Sequence, residues 1–296
     1  MILSANDLIL PCIQINIEVF IIMRKVLSAL LLLALLAGIA SAEPIKAGIL
    51  SKLNMTQEEY SELISNGRKA GTWGFFTSKP DDREIDFKFY DSIQAMQLAL
   101  NAGEIEEAVL PEVVAEYVMN VTGQYRVTAI AKTKPAYLAF GFRLDDRGKA
   151  LAAKFNDAIF AMKNDGTLAA LMGLYVYEAG IGDPEAVEFR KFDNVKDKIT
   201  IAVTGDLPPI DYVAADGTAA GFNTAVIAEI GKRLNVNIEL TYIMSGARAA
   251  TVMSGRADAV FWIQGFRDVK RHSDIPEMLV LSEPYYEWNE FLFIAR

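Results

Sequence analysis

The sequence has almost no cysteine and almost no histidine, with one of each, Cys12 and His272, among its 296 residues. A disulfide needs a pair of cysteines, and the usual zinc sites need several Cys or His ligands at defined spacing. The composition therefore excludes a disulfide framework, zinc sites and thiol redox chemistry. His272 stands in a charged stretch without a nucleophile beside it, so we interpret it as an exposed residue.

An excess of positive charge is also missing. Lys and Arg together number 29 against 38 Asp and Glu, which gives a formal net charge of -9. A nucleic acid or an anionic membrane surface would require a basic surface, so neither is an expected partner. The content of 52% hydrophobic and 23% charged residues is typical of a globular protein rather than of a disordered one.

The apolar run Val26–Leu36 is shorter than the ~20 residues that a transmembrane helix needs. Arg24 and Lys25 precede it, and the small residues Ala40–Ala42 follow it. A basic start, a short apolar segment and a small-residue site are the parts of a secretory signal peptide. The sequence therefore predicts cleavage after Ala42.

Residues 1–22 stand in front of this complete signal, so we interpret them as upstream sequence and Met23 as the true start. Residues 1–42 are then absent from the mature protein. No cysteine follows the cleavage site, so a lipid anchor is not expected there. The predicted product is soluble and periplasmic, or otherwise extracytoplasmic.

A charged stretch without helical periodicity, residues 182–197, precedes the apolar strand pattern Ile199–Val203. We interpret the stretch as a linker between a first module, residues 43–181, and a second module, residues 198–296. Each module is long enough to bury a core of its own.

Both modules contain a helix, then a glycine, then a short apolar strand. In the first module the helix Ser92–Leu100 is followed by Gly103, and in the second the helix Ala247–Met253 is followed by Gly255. Glycine ends helices in the left-handed conformation, and short apolar runs are typical of buried parallel strands. The alternation predicts an α/β fold with mostly parallel sheets flanked by helices.

Other helices follow from a period of 3.6 residues. Thr56 and Glu59 form the pattern of a capping box, and Asn223 stands where an N-cap would start the helix Thr224–Leu234. The apolar pattern from Lys149 to Leu174 is interrupted at Asn164–Gly166, which predicts two shorter helices.

The second module resembles family 3 of the bacterial periplasmic solute-binding proteins, the polar amino-acid type that serves ABC importers. The resemblance rests on an ordered set of segments: Ile199–Val203, Thr204–Tyr212 with Pro208 and Pro209, Gly221–Asn223 before an amphipathic helix, Ser254–Asp258, and Ser282–Tyr286. It implies lobes of the type II periplasmic-binding-protein fold, with this module as lobe one up to the strand that crosses the hinge. In that lobe Ile199–Val203 and Ala259–Trp262 are expected to be neighbouring buried strands.

The first module is similar to the other half of the same family. The segments concerned are Phe89–Ser92, Gly103–Glu112, Ala139–Asp146 and Asn164–Leu168, which correspond to lobe two and the closing helices. The half that corresponds to the C-terminal part of a family member thus precedes, in this chain, the half that corresponds to its N-terminal part. Two arrangements are open: a tandem protein truncated at the hinge of its second copy, or two halves that pair in permuted order.

The resemblance also implies a ligand site between the lobes, where an arginine of lobe one holds the ligand carboxylate and a carboxylate of lobe two holds its ammonium group. The family's arginine position is Lys270 here, with Arg267 nearby. Trp262 and Gln264 stand where the family usually has small hydroxyl residues, and they offer a flat face and an amide. The alternative for Trp262 is a place in the core, because it follows a buried strand.

Three further candidates have less direct support. The lobe-two carboxylate of the family falls on Pro111, so the adjacent Glu112 is its possible substitute. Asp206 lies in a loop after a strand, where α/β proteins collect ligands. Arg248 either faces the cleft or is a solvated residue at a helix start.

The predicted function is the capture of a small polar solute, an amino acid, for the membrane permease of an ABC importer, without a cofactor. The sequence shows no Ser/His/Asp set, phosphate-binding glycine loop or metal-ligand cluster, so we do not expect an enzyme. The alternatives are a periplasmic enzyme on the same fold, dehydratase-like or associated with a cell-wall lyase, and the ligand-sensing module of a signalling protein.

Overall fold

Twelve strands and seven α-helices are present in the part of the chain that the computed structural model describes, which is residues 43–51, 56–70, 83–181, 186–193, 197–266 and 278–296. Residues Ile45–Arg296 belong to one compact unit. The predicted signal peptide, residues 1–42, lies outside the described residues, as do parts of the predicted linker, residues 182–185 and 194–196.

The elements have the following bounds. The strands are β1 Ile45–Leu50, β2 Ile85–Tyr90, β3 Glu107–Pro111, β4 Arg126–Arg143, β5 Lys198–Val203, β6 Asp206–Leu207, β7 Asp211–Val213, β8 Ala219–Ala220, β9 Asn237–Tyr242, β10 Ala259–Phe266, β11 Leu279–Leu281 and β12 Tyr286–Ala295. The helices are α1 Gln57–Ala70, α2 Ile93–Ala102, α3 Glu112–Thr122, α4 Asp146–Asn164, α5 Thr167–Met172, α6 Phe222–Leu234 and α7 Arg248–Met253.

Nine of these strands form one sheet in the order β2-β1-β3-β12-β4-β10-β5-β9, with β11 also paired to β4. The 18-residue strand β4 runs through the middle. Its residues from Arg126 to Leu138 pair with β12, and its residues from Ala136 to Arg143 pair with β10 and β11. We call β2, β1, β3, β12 and the first part of β4 the first strand group, and β9, β5, β10, β11 and the last part of β4 the second strand group.

The two strand groups repeat one arrangement. In the first group β1 is parallel to β2 and β3, and β12 runs antiparallel to β3. In the second group β5 is parallel to β9 and β10, and β4 runs antiparallel to β10. Ile201 pairs with Ala259, which confirms the predicted neighbourhood of these strands. The predicted α/β fold, with parallel strands flanked by helices, is also confirmed.

Each strand group contains elements from both halves of the sequence. β12 pairs only with β3 and β4 among the described strands, although it lies beyond the predicted linker. In the opposite direction, α4 carries Asp165 at its end, and the Arg233 guanidinium of α6 lies 2.9 Å from the Asp165 carboxylate. The halves before and after residues 182–197 therefore share one sheet and one set of contacts.

Two predicted helix signals are confirmed. The Glu59 N–H donates to Thr56 Oγ1 and the Thr56 N–H donates to Glu59 Oε2, both at 3.2 Å, which is a capping box at the start of α1. The predicted interruption separates α4 from α5, and Gly166 adopts a left-handed φ of 81° there. A residue with a side chain would be strained in that conformation.

The predicted N-cap at Asn223 is wrong. Helix α6 begins at Phe222, after Gly221. The Phe222 N–H donates to the Pro209 carbonyl at 3.0 Å, and the Asn223 N–H donates to the Ile210 carbonyl at 2.9 Å. These backbone oxygens accept the hydrogen bonds that a side-chain N-cap would otherwise accept. Asn223 is instead fully buried, and its Oδ1 accepts a hydrogen bond from the Tyr285 hydroxyl at 2.8 Å.

A large part of the core packs on the face of β4 that carries Phe140 and Phe142. Phe140 stacks on Tyr285 with ring centroids 4.7 Å apart and meets Phe155 of α4 edge-on at 5.1 Å. Phe155 also contacts Phe142 at 5.0 Å. Among the described residues, none of the helices has the combination of length and apolar composition that a membrane crossing requires.

Candidate functional site

A cleft of about 620 Å³ lies where the parallel strands of the two strand groups end. The carboxyl ends of such strands are where α/β proteins usually bind ligands. The described residues that line the cleft come from both groups. The first wall consists of Leu50, Ser51, Asp91, Ser92 and Ile93, and the second wall consists of Thr204, Asp206, Leu207, Ile243, Met244, Ser245, Gly246 and Arg248.

The first wall is formed where β1 and β2 end. The Ser51 N–H donates to the Tyr90 carbonyl at 2.8 Å, which extends the pairing of these strands by one step. Ser92 then caps α2, because its Oγ accepts from the Ala95 N–H at 3.2 Å. The start of α2 and the exposed Asp91 carboxylate therefore lie at the cleft.

The second wall rests on a buried carboxylate, Asp211, which is 1% exposed. Its Oδ2 accepts hydrogen bonds from the Thr204 N–H at 3.1 Å, the Thr204 hydroxyl at 2.8 Å and the Gly205 N–H at 2.8 Å. These bonds fix the loop that follows β5 and carries Asp206. Burial raises the pKa of Asp211 to about 6, and the neighbouring Asp206 adds to the rise, although the three hydrogen bonds oppose it.

The second wall also joins a cation to a carboxylate through one serine. The Arg248 Nε donates to the Ser245 carbonyl at 3.1 Å, and the Ser245 hydroxyl donates to Asp206 Oδ2 at 3.1 Å. Arg248 is only 7% exposed. A guanidinium and a carboxylate that are held in fixed positions at a cleft can form charge-assisted hydrogen bonds with a ligand of the opposite charges.

Of the predicted site residues, Asp206 and Arg248 line this cleft, and Ser245 links them. Glu112 is placed at the start of α3 and is not among the described lining residues. Burial raises the pKa of the Glu112 carboxyl, and the nearby Glu290 and Glu116 raise it further, against the effect of Lys132.

The other four predicted residues follow the start of β10. The backbone of Trp262 and Gln264 forms part of this strand, next to β4, while their side chains lie outside what is described. Arg267 and Lys270 lie wholly outside the described residues, as does His272.

Asp91, Ser92 and Ser245 are site residues that the sequence reasoning missed. Asp91 and Ser92 directly follow β2, and Ser245 follows β9 after two residues. Polar residues just beyond the carboxyl ends of parallel strands are the signal that could have found them. Within the described ranges, no group of three or more His, Cys, Asp and Glu side chains is arranged so that it could bind a metal ion.

Residues 199–270 match the sequence profile of the bacterial extracellular solute-binding proteins, family 3. A search of the curated protein sequences finds no match. The family segment runs from β5 into the residues after β10, so it contains Thr204, Asp206 and Arg248 of the second wall.

Several solved structures are similar to the chain at low identity. The ligand binding component of an ABC-type import system from Staphylococcus aureus, solved with zinc bound, is 9% identical at a TM-score of 0.43. The match covers 86% of this chain and 66% of that structure, so this chain spans just under two thirds of its length.

Two further structures match over most of both chains. The GluR0 ligand-binding core from Nostoc punctiforme, in complex with L-glutamate, is 9% identical at a TM-score of 0.40, over 85% of this chain and 84% of that one. The BvgS VFT2 domain from Bordetella pertussis is 13% identical at 0.40, over 88% and 83%. The α/β part of the predicted fold class is present in the sheet and helices described above, and the periplasmic-binding-protein type of the lobes stays a prediction. Residues 199–270 are similar to family 3 of the bacterial extracellular solute-binding proteins, in agreement with the resemblance of the second module.

Proposed function

We propose that the chain is an extracytoplasmic solute-binding protein that captures a small solute with a carboxylate and an ammonium group, an amino acid, for the membrane permease of an ABC importer. The observation that carries the proposal is the cleft at the carboxyl ends of both strand groups, one wall of which lies in the family 3 segment. Export depends on the predicted signal peptide that ends at Ala42.

Arg248 is the proposed partner of the ligand carboxylate, and Asp206 and Asp91 are the proposed partners of the ammonium group. This assignment rests on charge: these are the charged residues among the described lining residues. Because the ligand loses its water on entering a cleft, each of its charges needs a charge-assisted hydrogen bond. Each such bond contributes about 1.5 to 3 kcal/mol.

Trp262, Gln264, Arg267 and Lys270 keep their predicted roles. Trp262 and Gln264, which replace the family's small hydroxyl residues, offer a stacking face and an amide, and Arg267 and Lys270 are additional cations for the carboxylate. Glu112 has less support, because it starts α3 and is not among the described residues that line the cleft.

The proposal also includes the arrangement of the two modules. We take the first strand group as lobe two and the second strand group as lobe one, paired within one chain in permuted order. Support comes from β4, which belongs to both groups, and from β12, which returns to the first group from the end of the chain. Under this arrangement the modules 43–181 and 198–296 complete one ligand-binding unit.

The test uses a fragment of residues 43–296, which contains the whole compact unit Ile45–Arg296. Thermal unfolding is measured with each of the common L-amino acids in turn, and the hits are titrated by calorimetry. A true ligand at about a hundred times its Kd should stabilise the folded state by about 2.7 kcal/mol.

The controls for each hit are its amine without the carboxylate and its acid without the amino group. Both should bind more weakly than the amino acid, because each leaves one charged partner in the cleft unsatisfied. If no amino acid stabilises the fragment, the proposed ligand class is wrong.

A further inference from the structure

The cleft has an apolar part as well as a charged one. Leu50 on the first wall and Ile243 on the second are both half-buried, and Met244 beside Ile243 is 83% exposed. Large apolar side chains are the ones most often found inside proteins, so an exposed methionine in a cleft is a feature that calls for an explanation. The two walls thus present apolar surface toward the same space.

Packing within the protein accounts for two of these three side chains. Leu50 packs against the larger apolar core and Ile243 against the smaller one. Met244 belongs to neither core cluster of the described residues. Its long, flexible thioether side chain is therefore available to contact a bound molecule, and methionine adapts well to such contacts.

The apolar and charged parts of the second wall are close in the sequence and in the fold. Ile243 and Met244 directly precede Ser245, whose carbonyl and hydroxyl contact Arg248 and Asp206. A molecule held by these charged groups would therefore extend over Ile243 and Met244. Ligand sites commonly combine a few fixed polar groups with a mainly apolar lining of this kind.

We infer that the ligand is an amino acid with an uncharged, apolar side chain, which Leu50, Ile243 and Met244 cover. The inference rests on the proposed function and narrows it, because the family resemblance by itself implies polar amino acids. A charged or strongly polar side chain would lose water against these three residues without gaining hydrogen bonds from them.

The first experiment compares amino acids on the fragment 43–296 by calorimetry. L-leucine, L-methionine and L-phenylalanine represent the apolar class, and L-glutamine, L-aspartate and L-arginine represent the polar class. We expect the best apolar ligand to bind at least about tenfold more tightly than the best polar one, since one buried apolar side chain contributes on that scale.

The second experiment replaces Met244 with glutamine, which keeps the length of the side chain and removes its apolar character. Met244→Gln should weaken binding of the best apolar ligand about three- to tenfold and leave the melting temperature nearly unchanged. Met278→Gln is the matched control, because Met278 is 58% exposed and is not among the described residues that line the cleft. It should leave binding unchanged.

The outcomes separate this inference from the proposed function. If a polar amino acid binds most tightly, the inference is wrong and the proposed function stands. If no amino acid binds, both are wrong. If an apolar amino acid binds best but Met244→Gln has no more effect than Met278→Gln, the contact assigned to Met244 is wrong, and the inference in this form is overturned.

Discussion

The two walls of the cleft differ in how their charged groups are held. On the first wall the charged residue is Asp91, which is exposed, and the described part of that wall contains no buried cation. On the second wall Arg248 is buried, and Asp206 accepts a hydrogen bond from the Ser245 hydroxyl. The buried Asp211 carboxylate fixes the Thr204–Asp206 loop through hydrogen bonds to its backbone. One wall thus presents a solvated charge, and the other presents charges fixed by internal hydrogen bonds.

This difference indicates a division of roles between the walls. Groups that are already ordered lose little conformational freedom when a ligand binds, so the second wall is the better site for tight recognition. The first wall contributes Leu50 and an exposed carboxylate, whose interactions are weakened by solvent. Both walls are present only if the two strand groups form one sheet. Separating the two modules should therefore have the largest effect on ligand binding.

Separating the modules should abolish the cleft. The second module alone, residues 198–296, lacks β4, so β10 loses an antiparallel neighbour and β12 loses both of the strands with which it pairs. Of the described strands in the nine-stranded sheet, only β10, β5 and β9 would then remain paired, with a new unpaired edge at β10 that favours association with other chains over a stable monomeric fold. We expect no cooperative unfolding transition and no ligand binding from the isolated second module, measured by circular dichroism and calorimetry.

A cleaved chain is the control for the separation. A protease site placed at residues 182–185 and cut after folding should leave both modules associated, with binding retained, because the shared sheet does not depend on that peptide bond. Tight ligand binding by residues 198–296 alone would contradict the pairing of the modules in one unit.

The second wall should also make stability depend on pH. The pKa of Asp211 is about 6 in the folded protein against an ordinary value of 3.8, so the folded state keeps this proton at pH values where the unfolded state releases it. The contribution of this protonation to the free energy of unfolding is therefore fully present below about pH 4 and is lost as the pH rises to about 6. This contribution is on the order of 3 kcal/mol.

The test compares Asp211→Asn with the wild type by urea unfolding at pH 4, 5, 6 and 7. Asparagine keeps an oxygen acceptor for Thr204 and Gly205 and cannot ionise, so the loss of stability between pH 4 and 6 should largely disappear. Asp157→Asn, at an exposed position on α4, should keep the dependence of the wild type. An unchanged pH profile in Asp211→Asn would show that this carboxylate ionises normally.

The sequence predicted the local elements and part of the second wall. The capping box at Thr56 follows from a pattern of four residues, and a cleft position for Asp206 follows from its loop directly after a strand. Such patterns depend on periodicity and on residues near strand ends, which a single sequence displays directly. The pairing of Ile201 with Ala259 joins distant parts of the chain and follows from the family resemblance of the second module. For Arg248 the sequence left a cleft position and a solvated one open, and the structure places it at the cleft.

The position of the first wall opposite the second wall could not be predicted in the same way. Asp91 reaches the cleft only because β4 and β12 join two distant parts of the chain in one sheet, and no local pattern specifies that pairing. The N-cap prediction for Asn223 was wrong for a related reason, because the first N–H groups of α6 donate to the carbonyls of Pro209 and Ile210, which are distant from α6 in the sequence. Long-range contacts override local preference in both cases.

The smallest expected effects come from single charges on the two walls, and they test the division of roles directly. Arg248→Gln should weaken binding of the best amino acid by about 10- to 150-fold, because a charge-assisted bond in a desolvated site contributes about 1.5 to 3 kcal/mol. Asp91→Asn should weaken it only by about fivefold or less, because interactions of exposed charges contribute at most about 1 kcal/mol.

The ligand itself provides the control for both substitutions. The amine that lacks the carboxylate should bind Arg248→Gln and the wild type equally, since the group that contacts Arg248 is already missing. The acid that lacks the amino group should likewise not distinguish Asp91→Asn from the wild type. If Arg248→Gln weakens the amine as much as the amino acid, the residue acts by shaping the wall around Ser245 and not by binding the carboxylate. If Asp91→Asn has the larger effect on the amino acid, the exposed first wall, and not the ordered second wall, dominates recognition.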